Sequence, residues 1–359
     1  MSGYTKEDRA LVWLAACSEA DERSRARIAR LCAHGLPQKE LEKICAAVIQ
    51  TGANRVYKDD RAAIEGEADA CLSRLAQRGG FAVTLADADY PESLRAIPDP
   101  PLALFCAGRR ELLQRRKFCI VGSRILPAWA AKTGKSIAAE LSGPFVIVTG
   151  IAEGGDRAAI DGALPRGNLI CVLPCGLDVD YPAAHASLKR EVAGRALLVS
   201  EFPLGMRVQK YSFHARNRIL AGLSEGTLVL AAGEKSGSLI TADRALAYGR
   251  EVFALPHNAG AAQGAGCNEL IKQGACLCTD AGDILRTFGM ERAERTPPAL
   301  SQQEERLLAA LRQAGEEHAA ALASRAGIPV WEAQATLASL ELKGLAVRAG
   351  GNKYAALKE

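Results

Sequence analysis

Six short stretches of the chain combine glycine or proline with polar side chains in patterns suited to holding an anion. The first is Val121-Gly122-Ser123-Arg124, with Pro127 just beyond. Gly122 permits a sharp turn, proline is pre-organised for the first turn of a helix, and helix N-terminal amides beside an arginine attract negative charge. The second runs from Thr149 to Asp156 and is mostly small residues, so a ligand can approach the backbone closely. Asp156 reads as a ligand-facing group or, preferably, as the N-cap of the next helix. The third and fourth are Pro174-Cys175-Gly176-Leu177-Asp178, followed by Tyr181-Pro182, and Ser200-Glu201-Phe202-Pro203. The fifth packs Phe213, His214, Arg216, Asn217 and Arg218 into six residues. A base stacked on Phe213 gains roughly 1–3 kcal/mol, but a core phenylalanine flanked by salt-bridged arginines fits this stretch equally well. Arginines two apart on a helix diverge by about 200°, so both line one cleft only near a helix start. The sixth, Lys235-Ser236-Gly237-Ser238, offers an ammonium, two hydroxyls and free amides to a phosphate.

Other chemistries lack their residues. No G-x-G-x-x-G follows a strand, and Thr149-Gly150 stands where a dinucleotide site needs a ribose-binding carboxylate. Gly134-Lys135-Ser136 lies mid-helix without the upstream glycine of a P-loop. The five histidines fall in separate segments, and Glu201 and Asp178 suit turn or capping roles better than general base catalysis. The chain is therefore expected to be no enzyme and to need no cofactor. Cys276/Cys278 and Cys171/Cys175 lack the spacing of a metal knuckle, so no metal site is expected. The N-terminus is polar and no apolar run is long enough to span a bilayer; a cytoplasmic protein with reduced cysteines and no membrane partner is expected. A net charge of +4 neither demands nor excludes a polyanionic partner.

The elements that position these turns follow from hydrophobic patterning. Residues 1–75 read as a small helical domain, with Leu11, Leu14, Ile28, Leu31, Leu41, Ile44 and Val48 at helical spacing and a break at 33–37. Residues 80–117 read as a connector with strand-like pieces at 81–85 and 102–106 between prolines. Apolar strands at 118–121, 145–148, 169–173, 196–199, 227–230 and 252–255 alternate with helices at 128–141, 156–163, 184–192, 216–223 and 239–248. That alternation indicates an α/β fold: a Rossmann-like, mostly parallel sheet with helices on both faces, within residues 80–288. Right-handed crossovers place all six turns along its carboxyl edge, where ligands of such sheets bind. Residues 289–299 read as a linker, and 300–359 as a winged-helix-like domain of three helices and a hairpin around Gly350-Gly351-Asn352. Its third helix, 330–342, carries Glu332 and Glu341 with Lys343 only at its end, which suits protein contact better than a DNA groove.

In this order, Gly122-Ser123-Arg124, Thr149-Gly150-Ile151-Ala152 through Gly154 and Asp156, Gly176-Leu177-Asp178 with Tyr181-Pro182, Ser200-Glu201-Phe202-Pro203, Arg216-Asn217-Arg218-Ile219 with Gly222-Leu223-Ser224, Ser236 through Ala242, Gly249-Arg250-Glu251-Val252 and Gly274-Ala275 resemble the DNA-processing protein A (DprA/Smf) family. The flanks resemble its helical, sterile-alpha-motif-like N-terminal domain and its winged-helix-like C-terminal domain. The resemblance implies a single-stranded DNA-binding protein that protects incoming DNA in natural transformation, helps load RecA recombinase, and forms a homodimer through the Rossmann-like domain. It implies DNA contacts from Gly122, Ser123, Arg124, Phe213, Arg216, Asn217, Arg218, Lys235 and Ser238. A Rossmann-like nucleotide-processing enzyme of phosphoribohydrolase type is the alternative, but its Pro-Gly-Gly-x-Gly-Thr signature is missing. Two departures from the family pattern stand out: Glu153 replaces a customary basic residue, and His257 a customary glycine.

Overall fold

The computed structural model describes residues 3–16, 61–292 and 300–357. The expected helical positions Ile28, Leu31, Leu41, Ile44 and Val48, the break at 33–37 and most of the expected linker lie outside them. The chain divides into two compact units, Met1–Arg292 and Ala293–Glu359.

The first unit runs α1 (Lys6–Ala16), α2 (Arg61–Gln77), β1 (Gly80–Thr84), α3 (Glu92–Arg95), β2 (Ala103–Gly108), β3 (Lys117–Val121), α4 (Ala128–Leu141), β4 (Val146–Thr149), α5 (Gly155–Ala163), β5 (Leu169–Leu173), α6 (Ala186–Arg195), β6 (Leu197–Ser200), α7 (Lys210–Leu223), β7 (Gly226–Val229), α8 (Gly237–Ala247), β8 (Glu251–Ala254), α9 (Ala265–Lys272), β9 (Cys276–Leu277) and α10 (Ala281–Thr287). All the strands form one sheet in the order β1-β2-β6-β5-β4-β3-β7-β8-β9. From β6 to β9 every pairing is parallel. The chain runs from β3 towards β6 on one side and returns to β7 on the other, so the crevice between β3 and β7 is the topological switch point.

Side chains alternate across the sheet. On β3, Phe118 and Ile120 enter one core with Ile137, Phe145 and Ile160, while Cys119 and Val121 enter another with Ile219, Leu220 and Leu223. Both faces are covered, which is why these strands read as unbroken apolar runs. Residues 80–117, read from sequence as a connector, instead supply two members of the sheet. β2 pairs antiparallel with β6, and β1 with β2. Leu104, Phe105 and Cys106 are fully buried there, and the pairing covers an edge that β6 would otherwise leave open. Leu11 and Val12 of α1 and Leu72 and Leu75 of α2 join the same core as Val83 and Leu104. The Tyr4 hydroxyl accepts from the Ala82 amide at 2.9 Å. The described parts of the N-terminal helical region thus pack on β1 rather than standing apart.

The second unit is a winged helix: α11 (Gln302–Ala314), β10 (Glu316–His318), α12 (Ala319–Ala326), α13 (Val330–Leu342), β11 (Ala346–Gly350) and β12 (Lys353–Ala356), with sheet order β10-β12-β11. Its first helix opens on the capping box read from sequence. Ser301 Oγ accepts from the Glu304 amide at 3.2 Å, and Glu304 Oε2 accepts from the Ser301 amide at 2.7 Å. The hairpin turns on Gly350, Gly351 and Asn352, at φ of 90°, 53° and 60°. The short strand β10 was not legible, because Glu316-Glu317-His318 shows no apolar alternation.

The eight described cysteines are free, and burial pushes the Cys119 and Cys278 thiols up to about 12, so they act as small hydrophobes. Among the described residues no helix is long and apolar enough to cross a membrane.

At the amino end of β3, Lys117 is 6% exposed and donates to the Leu113 and Arg115 carbonyls at 2.8 and 2.6 Å. Burial lowers its pKa to about 8, against the pull of Glu225. The folded group is thus neutral over a range in which the unfolded one, with a pKa of about 10.4, is still charged. The stability tied to this group is complete above the unfolded pKa and is lost as pH falls through about 8. Denaturant titrations should therefore show the native chain gaining about 3 kcal/mol as pH rises from the folded to the unfolded pKa. Lys117→Met should lack that component; superimposable pH profiles would remove the assignment.

Candidate functional site

The loops at the carboxyl edge are drawn together by backbone. The Ser123 amide donates to Ala231 O at 2.8 Å, tying the turn after β3 to the end of β7, across the switch point. On its other side, the Gly155 amide donates to Ser123 O at 3.1 Å. Gly154 adopts φ 76° as N-cap of α5, and a Cβ there would lie 2.1 Å from Ser123 O. A Cβ on Gly155 would lie 2.4 Å from Gly122 Cα. Only glycine lets these two turns touch.

Arg124 projects from this junction, exposed. Its guanidinium carbon sits 5.7 Å from the centre of the half-buried Phe213 ring. Tyr181 meets Phe213 edge-on, with centroids 5.8 Å apart, immediately before a cis proline, Pro182. A cation and two aromatic faces therefore stand beside the amides of Gly122 and Ser123. Lys235, exposed, lies on the loop after Ala231. Ser236 caps α8, its Oγ accepting from the Ser238 amide, and its hydroxyl also pairs with that of Ser238 at 2.7 Å. Ser238 is 8% exposed and acts in this cap.

Beneath the rim the arrangement differs from the sequence-based expectation. Helix α7 begins at Lys210, six residues before the expected start, with Gln209 and Ser212 forming its capping box. Phe213 therefore lies on its first turn, and Arg216 and Arg218 are mid-helix and diverge to separate partners. Arg216, 8% exposed, donates to Val172 O at 3.2 Å and faces Asp156 at 3.9 Å. A Cβ on Gly150 would lie 1.9 Å from its Nη1, so the loop after β4 closes directly over the guanidinium. Asp156 is not the N-cap of α5. It is buried, accepting from the Ala152 amide at 3.1 Å and from Thr149 Oγ1 at 3.3 Å. Burial raises its pKa, with Arg216 and the loop donors pulling the other way. Asn217 donates to Gly237 O at 3.2 Å, holding the start of α8.

Arg218 is turned away from the rim. It is 8% exposed, pairs with Asp99 at 3.2 Å, and donates to Glu201. Burial opposes its charge, but Glu201 and Asp99 outweigh that and raise its pKa. Its role here is to dock the segment before β2 onto α7. The structure thus places Gly122, Ser123, Arg124, Phe213 and Lys235 at the open rim. Arg216, Asn217 and Ser238 brace the loops from behind, and Arg218 lies apart.

Residues outside the expected set also meet the rim. His185, 4% exposed, places Nδ1 at 2.6 Å from Ile151 O and Nε2 against the Glu153 carboxylate. Glu153 itself is exposed, so the chain carries a tethered negative charge beside Arg124's turn. His257 Nε2 lies 3.0 Å from Leu230 O, and its ring packs against Trp129 at 4.9 Å. Trp129 is 48% exposed and Ile125 72%, an apolar shoulder on the start of α4. An aromatic residue this close after Gly-Ser-Arg was a readable signal; the pairing of Trp129 with a residue after β8 was not.

A doubly wound sheet with glycine-packed loops, and a cation beside two edge-on aromatic rings at its carboxyl edge, defines a Rossmann-like protein with a winged-helix unit. Comparison with known proteins makes this specific. Residues 81–289 match the family described as DNA recombination-mediator protein A, and residues 291–352 match the DprA winged helix domain. The chain is 41% identical to the DNA processing protein DprA of Streptococcus pneumoniae over 206 residues, covering 57% of this chain and 73% of that protein. It is 39% identical to protein Smf of Escherichia coli over 268 residues, covering 71% and 72%. The X-ray structure of the Streptococcus pneumoniae protein aligns with a TM-score of 0.63 at 31% identity, over 79% of this chain and 98% of that one. A Helicobacter pylori DNA processing protein A, solved for its single-stranded DNA binding mode, aligns with a TM-score of 0.53 at 33% identity, over 58% and 95%. This chain belongs to the DNA recombination-mediator protein A family, the DprA/Smf proteins.

Arg218, buried in α7, should separate from the exposed Arg124 in denaturation. Arg218→Ala leaves Glu201 and Asp99 buried without their cation and should cost about 3–5 kcal/mol of unfolding free energy. Arg124→Ala, at an exposed position, should stay within about 0.5 kcal/mol of the native chain. Equal stabilities for the two variants would show that Arg218 is not a buried anchor.

Proposed function

We propose that this chain binds single-stranded DNA along the carboxyl rim at the β3/β7 switch point, protects it, and hands it to a RecA-type recombinase without chemical turnover. The observation that carries the reading is the Arg124 guanidinium lying over Phe213, at the end of the Gly122-Ser123 turn. A flexible polyanion with planar bases needs both elements in one place. In this reading Arg124 and Lys235 take phosphates, and Phe213 and Tyr181 take bases. Stacking is tolerant of sequence because every base presents a π face. Arg216, Asn217 and Ser238 act indirectly, by holding the loops that present these groups. Glu153 weakens affinity locally by repelling phosphate.

The Helicobacter pylori relative's single-stranded DNA binding supports the choice of ligand. The absence of turnover is supported by the state of the edge carboxylates: Asp156 faces Arg216, and Glu201 accepts from Arg218, both buried. Delivery of DNA to RecA, a role in natural transformation, a homodimer through the Rossmann-like unit and a cytoplasmic location belong to the same reading and rest on family membership.

Titrating poly(dT) over a salt series tests the rim. Phe213→Ala should weaken binding by roughly 5- to 150-fold, the equivalent of about 1–3 kcal/mol for one lost stack. Arg124→Ala should weaken it and reduce the slope of log K against log salt by about 0.7, one phosphate contact fewer on a single strand. Native affinity and slope in both variants would place the DNA elsewhere. Product formed from nucleoside monophosphates would overturn the non-enzymatic reading.

A further inference from the structure

Helix α13 of the winged-helix unit is apolar on two faces. Its inner face buries Ala333, Thr336, Leu337 and Leu340. Its outer face exposes Trp331, Ala335, Ala338 and Leu342, with Trp331 72% and Leu342 91% accessible. These four follow the spacing i, i+4, i+7, i+11, the seam period of paired helices. A solvated helix ordinarily puts charge there, and a helix reading a DNA groove puts arginine, lysine or amide side chains there.

From this stripe we infer that α13 is a self-association surface, pairing antiparallel with α13 of a second copy of this chain. The register is written into the positions. Residues 331 and 342, and 335 and 338, are symmetric about the midpoint between Thr336 and Leu337. An antiparallel two-fold pair therefore sets Trp331 against Leu342 of the second copy at each end, and Ala335 against Ala338 in the middle. Small residues at the crossing let the backbones approach, and large ones close the ends. The helix macrodipoles also run in opposite directions in this arrangement, which favours it over a parallel pair.

The flanking charges agree. In an antiparallel two-fold pair each flank of the seam meets the same flank of the other copy. One flank carries Glu332, Ser339 and Lys343, and the other Gln334 and Glu341. The register then sets Glu332 beside Lys343 of the second copy, twice, and Glu341 beside Gln334 of the second copy. No pair of like charges meets. Lys343 is engaged within its own unit by Glu304 at 2.7 Å, and Glu332 by Gln303, so both side chains are held close to the flank. An ammonium has three donors and can serve both carboxylates.

One helix pair covers less than the ~1,200 Å² at which stable interfaces begin. The contact is therefore weak alone and acts where another contact raises its effective concentration, joining copies already assembled or lined up on one ligand. It does not depend on the single-stranded DNA reading, since no rim residue takes part.

The test is sedimentation velocity of the full chain across a concentration series at low salt. Circular dichroism melts serve as the check of folding. Trp331→Glu should melt like the native chain and weaken one association step by about tenfold or more, as loss of an aromatic anchor does. Glu332→Lys and Lys343→Glu, each alone, set like charges against each other in both homotypic contacts and should weaken the same step. Their equimolar mixture restores opposite charges at both sites and should recover it. Recovery on mixing is not expected if either variant is simply misfolded, if the helices pair in parallel, or if the stripe binds another protein. Association unchanged in Trp331→Glu, or a mixture no better than its components, overturns the proposal.

Discussion

The carboxyl edge depends on a buried cation under a glycine. Arg216 reaches from the middle of α7 to the end of β5, faces Asp156, and is roofed by Gly150 so closely that no side chain fits between them. That placement joins α7, β5, the loop after β4 and the first turn of α5. Breaking a buried pair from one side is costly, because the remaining charge is left without water or partner. The loop after β4 is thereby fixed, and its Gly154 and Gly155 can lie against the Gly122 turn. The direction of Arg124, and its distance from Phe213, are consequences of that chain of contacts.

The same logic separates roles among chemically similar residues. Arg124, Arg216 and Arg218 are all arginines close to one sheet edge. Arg124 is exposed and stands over an aromatic ring; Arg216 and Arg218 are sealed beneath and neutralised by carboxylates. A polyanion meets the first directly and feels the others as rigidity. Glu153 and His185 modify the rim differently: a buried imidazole holds an exposed carboxylate in place, so a negative charge stays close to the turn that presents Arg124.

The winged-helix unit obeys a separate constraint. Its core is satisfied by one face of each helix, with Leu307, Leu311, Leu322, Leu337 and Tyr354 buried together. The outer face of α13 is left apolar without being needed for folding. Apolar surface that the unit's own stability does not require is best understood as surface reserved for contact.

How much was legible in the residues follows from which forces are local. The helix over 128–141, the winged-helix helices over 319–326 and 330–342 and the Ser301–Glu304 box agree with the sequence reading, because period, capping and turn chemistry are written within a few residues. So are the parallel strands and the edge on which the polar turns gather. The extra antiparallel strands β1 and β2 were readable as strands but not as sheet members, since β6, to which β2 pairs and through which both join the sheet, lies about ninety residues further on. The start of α7 was missed because its cap is an uncommon Gln–Ser pair, and that shift of two turns reassigned Arg216 and Arg218. The residue types at the rim were settled by the sequence alone. Which of them faces solvent and which is buried against a carboxylate was decided by tertiary structure, because burial and ion pairing depend on partners such as Asp99, Asp156, Val172 and Glu201 that only folding brings within reach.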